Sequence, residues 1–507
     1  MRIQSGTRVN PRLVFFRRNT RMACSASVML ALGACGGGGG ASNSPPPANT
    51  APTVDAGADQ TIQLPTNSVQ LEGSARDAEN NTLTYTWSSS PVGVVFSDPN
   101  AAAAAATFPG EGTYTLTLAV SDGQSSGSDT LTVVVQPAPA AAYPAADLDE
   151  SAPDHGWTRV SPTEAGMDQA KLLEAEAYAL TAGGSGLIVR GGRAVHSWGD
   201  IDQRYDVKST TKSIGGVALG IAIDEGRVAL TEFAQTYLPS LGIDPSPPPE
   251  NDLGLLAQIT VLQLATHTAG FAKPGDYCAL LYTPGTHWSY SDCGLNWLAD
   301  MLTEVFAQDL RELLTTRMWS QLGVDSAGDF GDDVRWRDND YRPGPSPDGI
   351  EHREFASGIY TNTNAMARFG LLFLRKGVWS SDRIVSESFV DAVQRPRPEV
   401  ATTQNVDPTN FPDAPATYGV LWWTNASGQL PNVPRDAYWA WGLGESLIIV
   451  IPSLDLVIAR AGPQSSTPTP GQRVFGDSDW NGDYAVLAPF LNPIVCAADS
   501  SSAACSQ

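Results

Sequence analysis

Between Ile214 and Ile223 the chain reads IGGVALGIAI, apolar or glycine on every side. A helix without a polar stripe has to be enclosed all round. Any fold for this chain must therefore wrap other elements around this segment. Asp224 and Glu225 close the helix, and Gly226 suits the position just past its end. Ser209 falls in its first turn or just before it. Lys212 lies three residues on, so the two share one face. A lysine at the mouth of a buried helix costs desolvation energy unless it has a partner or a task. The pair alone also fits a capping serine beside a snorkelling lysine, so the rest of the chain has to decide.

The chain has 507 residues, room for two or three domains. Its formal charge is −23, which argues against nucleic acid and anionic membrane surfaces as partners. The first 34 residues run against that trend, with arginines and no acids. Arg17, Arg18 and Arg21 precede a short apolar run, Met22 to Ala34, too short for a permanent span. It ends in Leu-Gly-Ala-Cys, which resembles a bacterial lipobox. Residues 1–34 are expected to be a lipoprotein signal, with Cys35 the lipidated first residue of an exported protein anchored in the outer membrane. Four cysteines remain, an even number in an exported chain. Three pairings are open, and proximity favours Cys278–Cys293 and Cys496–Cys505. None has the spacing of a zinc site.

Residues 35–52 are a Gly/Pro-rich tether. Residues 53–136 hold short alternating strands such as LTYTWSS and GTYTLTLAV, an all-β sandwich. That stretch resembles the PKD-like immunoglobulin-type modules of secreted bacterial hydrolases. It also contains GQSSG at 123–127, a literal match to a nucleophile elbow. An elbow needs a strand followed by a buried helix. Here strands flank both sides, so Ser125 is expected in a hairpin loop. Residues 137–156 read as a second linker, 157–495 as the catalytic domain and 496–507 as a tail.

Serine needs a neighbouring base and a site for the developing oxyanion. A desolvated lysine can be that base. The five histidines offer no good alternative, and His267 in LATHTAG reads as structural. Tyr290, between Cys278 and Cys293, precedes a helix starting near Asp292, a reasonable N-cap. A disulfide closing that loop would contribute about 3 kcal/mol.

In order along the chain come YDVKSTTKSIGG, ITVLQLATHTAGF, PGTHWSYSD and REFASGIYTNTNAMARFG. Together they resemble the serine β-lactamase-related hydrolases: class C β-lactamases, DD-peptidases, family VIII esterases and 6-aminohexanoate-dimer hydrolases. The resemblance implies an α/β (α+β) fold, an antiparallel sheet flanked by helices plus a helical subdomain. It implies Ser209 as the acylated nucleophile, Lys212 as proton acceptor and Tyr290 as proton relay, with no metal or organic cofactor. Asp292 stands where the family usually has asparagine. It keeps an acceptor and loses a donor, and remains a candidate substrate contact. The third family motif, Lys-Thr-Gly or His-x-Gly, corresponds best to GLGES, with Leu443 in place of the cation. Leu443 and Gly444 would edge the cleft, and Ser446 would give the second oxyanion N–H beside that of Ser209. A leucine cannot hold a substrate carboxylate. Small neutral esters or amides are therefore the expected substrates of a monomeric enzyme. A DD-peptidase or β-lactamase is the alternative within the same chemistry. A silent surface-binding protein is the alternative outside it.

Two acidic stretches complete the reading. DSDWNGDY at 477–484 has the spacing of half a calcium loop but alanine at the twelfth position, so a polar turn is expected. GDFGDDVRWRDND is expected as a solvated loop with internal Arg–Asp pairs.

Overall fold

The computed structural model describes residues 48–64, 67–137, 142–147, 153–243, 251–326, 331–342, 349–463, 475 and 484–506. The signal segment, Cys35, most of the tether and the calcium-like residues 477–483 lie outside them.

A four-stranded sheet, antiparallel except for Gln60–Gln63 lying parallel to Ser126–Gln136, and a three-stranded antiparallel sheet build the N-terminal module, enclosing Trp87, Leu116, Leu118 and Val133. Strands Gly112–Ser121 and Ser126–Gln136 form a hairpin. Ser125 lies in its turn, its N–H bound to the Asp122 carboxylate at 2.6 Å. The GQSSG segment is a hairpin loop, as its flanking strands require.

The catalytic domain centres on a six-stranded antiparallel sheet. Its strands are β1 (Ser185–Arg190), β2 (Arg193–Trp198), β3 (Trp423–Thr424), β4 (Tyr438–Gly442), β5 (Ser446–Ile451) and β6 (Leu456–Ala461), in the order β2-β1-β6-β5-β4-β3. Side chains alternate across the pleat. Leu187, Val189, Ile448, Val450, Val457 and Ala459 enter one core. Ile188, Leu447, Ile449, Leu456 and Ile458 enter the other. The unbroken apolar run Leu447–Ile451 thus marks a strand covered on both faces. One face carries helices α2 (Thr210–Asp224) and α4 (Thr363–Leu374). The other carries α1 (Gln169–Ala179) and α5 (Ala488–Ala498). A helical region stands beyond α2, with α3 (Asp292–Phe306) its longest element. Helix α2 is buried from Thr210 to Ala222, as a helix apolar on all sides must be.

Several expectations need correction. Residues 142–147 are not free linker. The buried Arg368 of α4 donates to the carbonyls of Ala145, His155 and Leu322 at 2.8, 2.6 and 2.7 Å. Tyr143 packs edge-on to Trp379. Helix α5 runs past residue 495 to Ala498, and the Cys496–Cys505 disulfide ties the tail back to it. The run expected as a solvated loop contains a strand, Val334–Trp336, paired with Ile359–Thr361. Its Arg337 reaches out of the segment, to Glu354 at 2.6 Å.

Removing Arg368 strands three carbonyls in a dry interior. Arg368→Met is expected to cost about 3 kcal/mol. A urea titration of the purified chain should show a lower midpoint with an unchanged slope.

Candidate active site

Tyr205–Asp206 pairs with Ile359–Thr361 and delivers the chain to α2. Lys208, just before the nucleophile candidate, has φ +49°, a left-handed conformation costly for a non-glycine residue. Its N–H is held by the Asp206 carboxylate at 3.1 Å, and its ammonium by the same group at 2.6 Å. Ser209 follows as the N-cap residue, but its side chain caps no helical N–H. The hydroxyl instead lies 2.9 Å from Lys212 Nζ.

Lys212 is 2% exposed. Its nitrogen has two further oxygen neighbours, the Ala356 carbonyl at 2.7 Å and Asp292 Oδ1 at 2.9 Å. The ring of Tyr290 lies beside it, 4.8 Å from nitrogen to centroid. Burial drives the lysine below its ordinary pKa, opposed by the charges of Asp292 and Glu354. Burial also drives the Tyr290 phenol well above its ordinary pKa, with Asp292 adding to it, while a hydrogen bond with the Ser209 side chain works the other way. Tyr290 is therefore a neutral phenol near neutral pH.

Asp292 is not the N-cap of α3. Ser291 takes that role, accepting from the Gly294 N–H at 2.9 Å. Asp292 is the first helical residue, a favourable place for an anion, and its carboxylate turns to Lys212. The loop before it is closed by the Cys278–Cys293 disulfide.

Three supports carry no obvious mark in the sequence. Asn296, one turn along α3 from Asp292, accepts from the Phe355 and Ala356 N–H groups at 3.1 and 3.4 Å. It thereby aims the carbonyl that Lys212 uses. His267 stacks on Tyr290 with centroids 4.4 Å apart, and its Nδ1 accepts from the Ser291 N–H at 3.0 Å. Burial, with the nearby Lys212, keeps the imidazole neutral. Phe411 covers the opposite face of Tyr290, nearly parallel at 4.8 Å. No spacing singles out these three residues as supports of the site.

The GLGES segment differs from the expectation. Strand β4 ends at Gly442, Leu443 to Glu445 form a turn, and β5 resumes at Ser446. Ser446 is fully buried, and its carbonyl accepts from the Thr210 hydroxyl at 2.5 Å. That ties β5 to the start of α2 and leaves Ser446 no exposed surface to offer a substrate. Leu443, half-buried after Gly442, is the residue of this turn that reaches the surface. The buried Arg460 donates to the Gly444 and Glu445 carbonyls and fixes the turn from behind.

The fold and this constellation define a β-lactamase-type serine hydrolase. The β-lactamase family matches residues 173–472, over half of the chain, and the chain belongs to that family. Residues 56–135 match a PKD domain family. Among relatives, the 6-aminohexanoate-dimer hydrolase of Paenarthrobacter ureafaciens is 25% identical over 296 residues, covering 54% of this chain and 68% of that protein. The simvastatin synthase LovD of Aspergillus terreus superposes with a TM-score of 0.46 at 14% identity, over 65% of this chain and 99% of its own. A penicillin-binding protein homologue from Caulobacter crescentus does so with 0.44 at 14%, over 59% and 92%.

A Cβ on Gly442 would lie 2.0 Å from the Val207 carbonyl and 3.0 Å from the Thr210 nitrogen. Gly442→Ala must therefore push the strand off the Ser209 turn. Labelling of Ser209 by a fluorophosphonate should slow by ~100-fold, a misplacement effect on this scale, while the far-UV circular dichroism stays unchanged.

Proposed function

We propose that the protein hydrolyses small neutral esters or amides through an acyl-enzyme on Ser209, with Lys212 as base and Tyr290 as proton relay. One observation carries this reading: the three oxygens around Lys212 Nζ. A neutral amine has two N–H donors and one lone pair. The donors suit Ala356 O and Asp292, which leaves the lone pair for the Ser209 hydroxyl at 2.9 Å. Ser209 Oγ attacks the carbonyl as its proton passes to Lys212. The tetrahedral intermediate collapses, the bond to the leaving group breaks, and the proton returns to that group through the Tyr290 hydroxyl. Tyr290, held protonated, works as a relay and not as a phenolate base. Water then attacks the acyl carbonyl, gives its proton to Lys212, and Ser209 is released with the proton back on oxygen.

The Ser209 N–H is one oxyanion donor, and the fully buried Ser446 is replaced in this role by the Leu443 N–H. Leu443 offers no cation to a substrate carboxylate, which supports neutral substrates over β-lactams and peptidoglycan stems. The arginine-rich segment and Cys35 support an exported, lipid-anchored protein, with the PKD-like module as a spacer and a monomeric catalytic domain.

With p-nitrophenyl acetate and butyrate, Ser209→Ala is expected to lose ~10⁴-fold in kcat, and Lys212→Met a similar amount. Tyr290→Phe should lose ~10²-fold or more. Nitrocefin should turn over far more slowly than the esters. Equal ester activity in Ser209→Ala and the parent would defeat the reading, and rapid nitrocefin turnover would favour a β-lactamase.

Catalysis requires neutral Lys212. Activity should thus fall as pH drops through the lysine pKa and rise above it. Because burial lowers that pKa, the limb should lie below the ordinary lysine range in a pH profile of kcat/KM.

A further inference from the structure

Position 292 carries a carboxylate where the motif of the resembled family usually has asparagine, and the geometry of this carboxylate has a consequence of its own. Lys212 and Asp292 form an ion pair whose lysine side chain is 3% exposed and whose aspartate is 29% exposed. Oδ1 is buried 2.9 Å from the lysine nitrogen, so the exposure of the side chain belongs to its other atoms. The other groups around Lys212 do not add a second free anion. Ser209 and the Ala356 carbonyl are neutral, and Tyr290 and His267 are held neutral by burial. Glu354 is itself engaged by Arg337 at 2.6 Å and by the Ser357 hydroxyl. Three residues before Ser209, Asp206 is paired with Lys208 at 2.6 Å and approached by Arg337 at 3.4 Å. Lys273, whose carbonyl accepts the Asp292 N–H, is exposed.

We propose, resting on the acyl-enzyme reading above, that Asp292 is a positioning and specificity residue that holds Lys212 on Ser209 and disfavours acyl groups carrying a carboxylate. The effect holds for either state of the lysine. With Lys212 neutral the pair is anionic; with Lys212 protonated it is neutral. In either state, an amide at position 292 makes the cleft one charge more positive. In a partly exposed cleft, one charge acting over several ångströms is worth about tenfold in discrimination. Asp292 also stabilises the ammonium form of Lys212, so an amide there lets the lysine stay neutral to lower pH.

The test compares the full chain with its Asp292→Asn variant on two esters of one length: the p-nitrophenyl half-ester of adipic acid and the p-nitrophenyl methyl diester. The parent should favour the neutral diester by at least about tenfold. Asp292→Asn should narrow that ratio about tenfold and move the acidic limb of kcat/KM to lower pH. If the variant turns over too slowly, the pH dependence of Ser209 labelling by a neutral fluorophosphonate supplies the limb. A folded variant that keeps the parent's ratio and limb overturns the inference. So does a parent that treats both esters alike, a result that needs no variant. Failure of the parent to label at Ser209 would instead defeat the underlying mechanism.

Discussion

A lysine amine with almost no solvent around it organises this catalytic domain. Burying an ammonium alone would cost several kcal/mol. The nitrogen meets three oxygens, each supplied by a different part of the chain: the Ser209 hydroxyl, the first residue of α3 and the Ala356 carbonyl. None of those parts is local to another. Helix α2 must be enclosed for Lys212 to be dry. Helix α3 must meet it with its N-terminus. The 354–358 segment must be pinned, and Asn296 of α3 pins it. The sheet contributes through Gly442 and Ser446, which allow β4 and β5 to close on the turn that carries Ser209.

The strained residue at the head of α2 follows from the same constraint. Lys208 at positive φ lets the chain turn sharply from a strand into a buried helix. The Ser209 side chain caps nothing and points to the lysine instead. The GQSSG segment shows the contrast. Ser125 sits between paired strands, its backbone N–H bound by Asp122 and its hydroxyl accepting from the Asn49 amide at 3.1 Å. A short pattern of glycine and serine carries chemistry only where the surrounding elements supply a buried neighbour.

Much of this was legible in the sequence, for physical reasons. Helix α2 announces itself because no face is polar. Ser209 and Lys212 share a face by helical spacing alone. The runs Leu447–Ile451 and Leu456–Ala459 have the apolar character of strands covered on both sides, and nearby cysteines pair with each other. What was not legible involves partners without a side-chain signature. The Ala356 carbonyl is a backbone atom 144 residues from Lys212. Asn296 and His267 look like ordinary interior polar residues. Arg368 clasps a segment that composition alone assigns to a linker, because carbonyl acceptors leave no trace in composition. The burial of Ser446 and the ion pair of Asp292 both depend on how two distant segments meet α2, which local spacing does not encode.

The central claim is that an acyl group resides on Ser209 and depends on Lys212. The most direct measurement is acid quenching within milliseconds of mixing with p-nitrophenyl butyrate, followed by peptide mass spectrometry. The account predicts a butyryl group on the peptide spanning Ser209, absent when Lys212 is replaced by methionine in a protein that remains folded. An adduct on another residue, or an equally rapid adduct without Lys212, would contradict it.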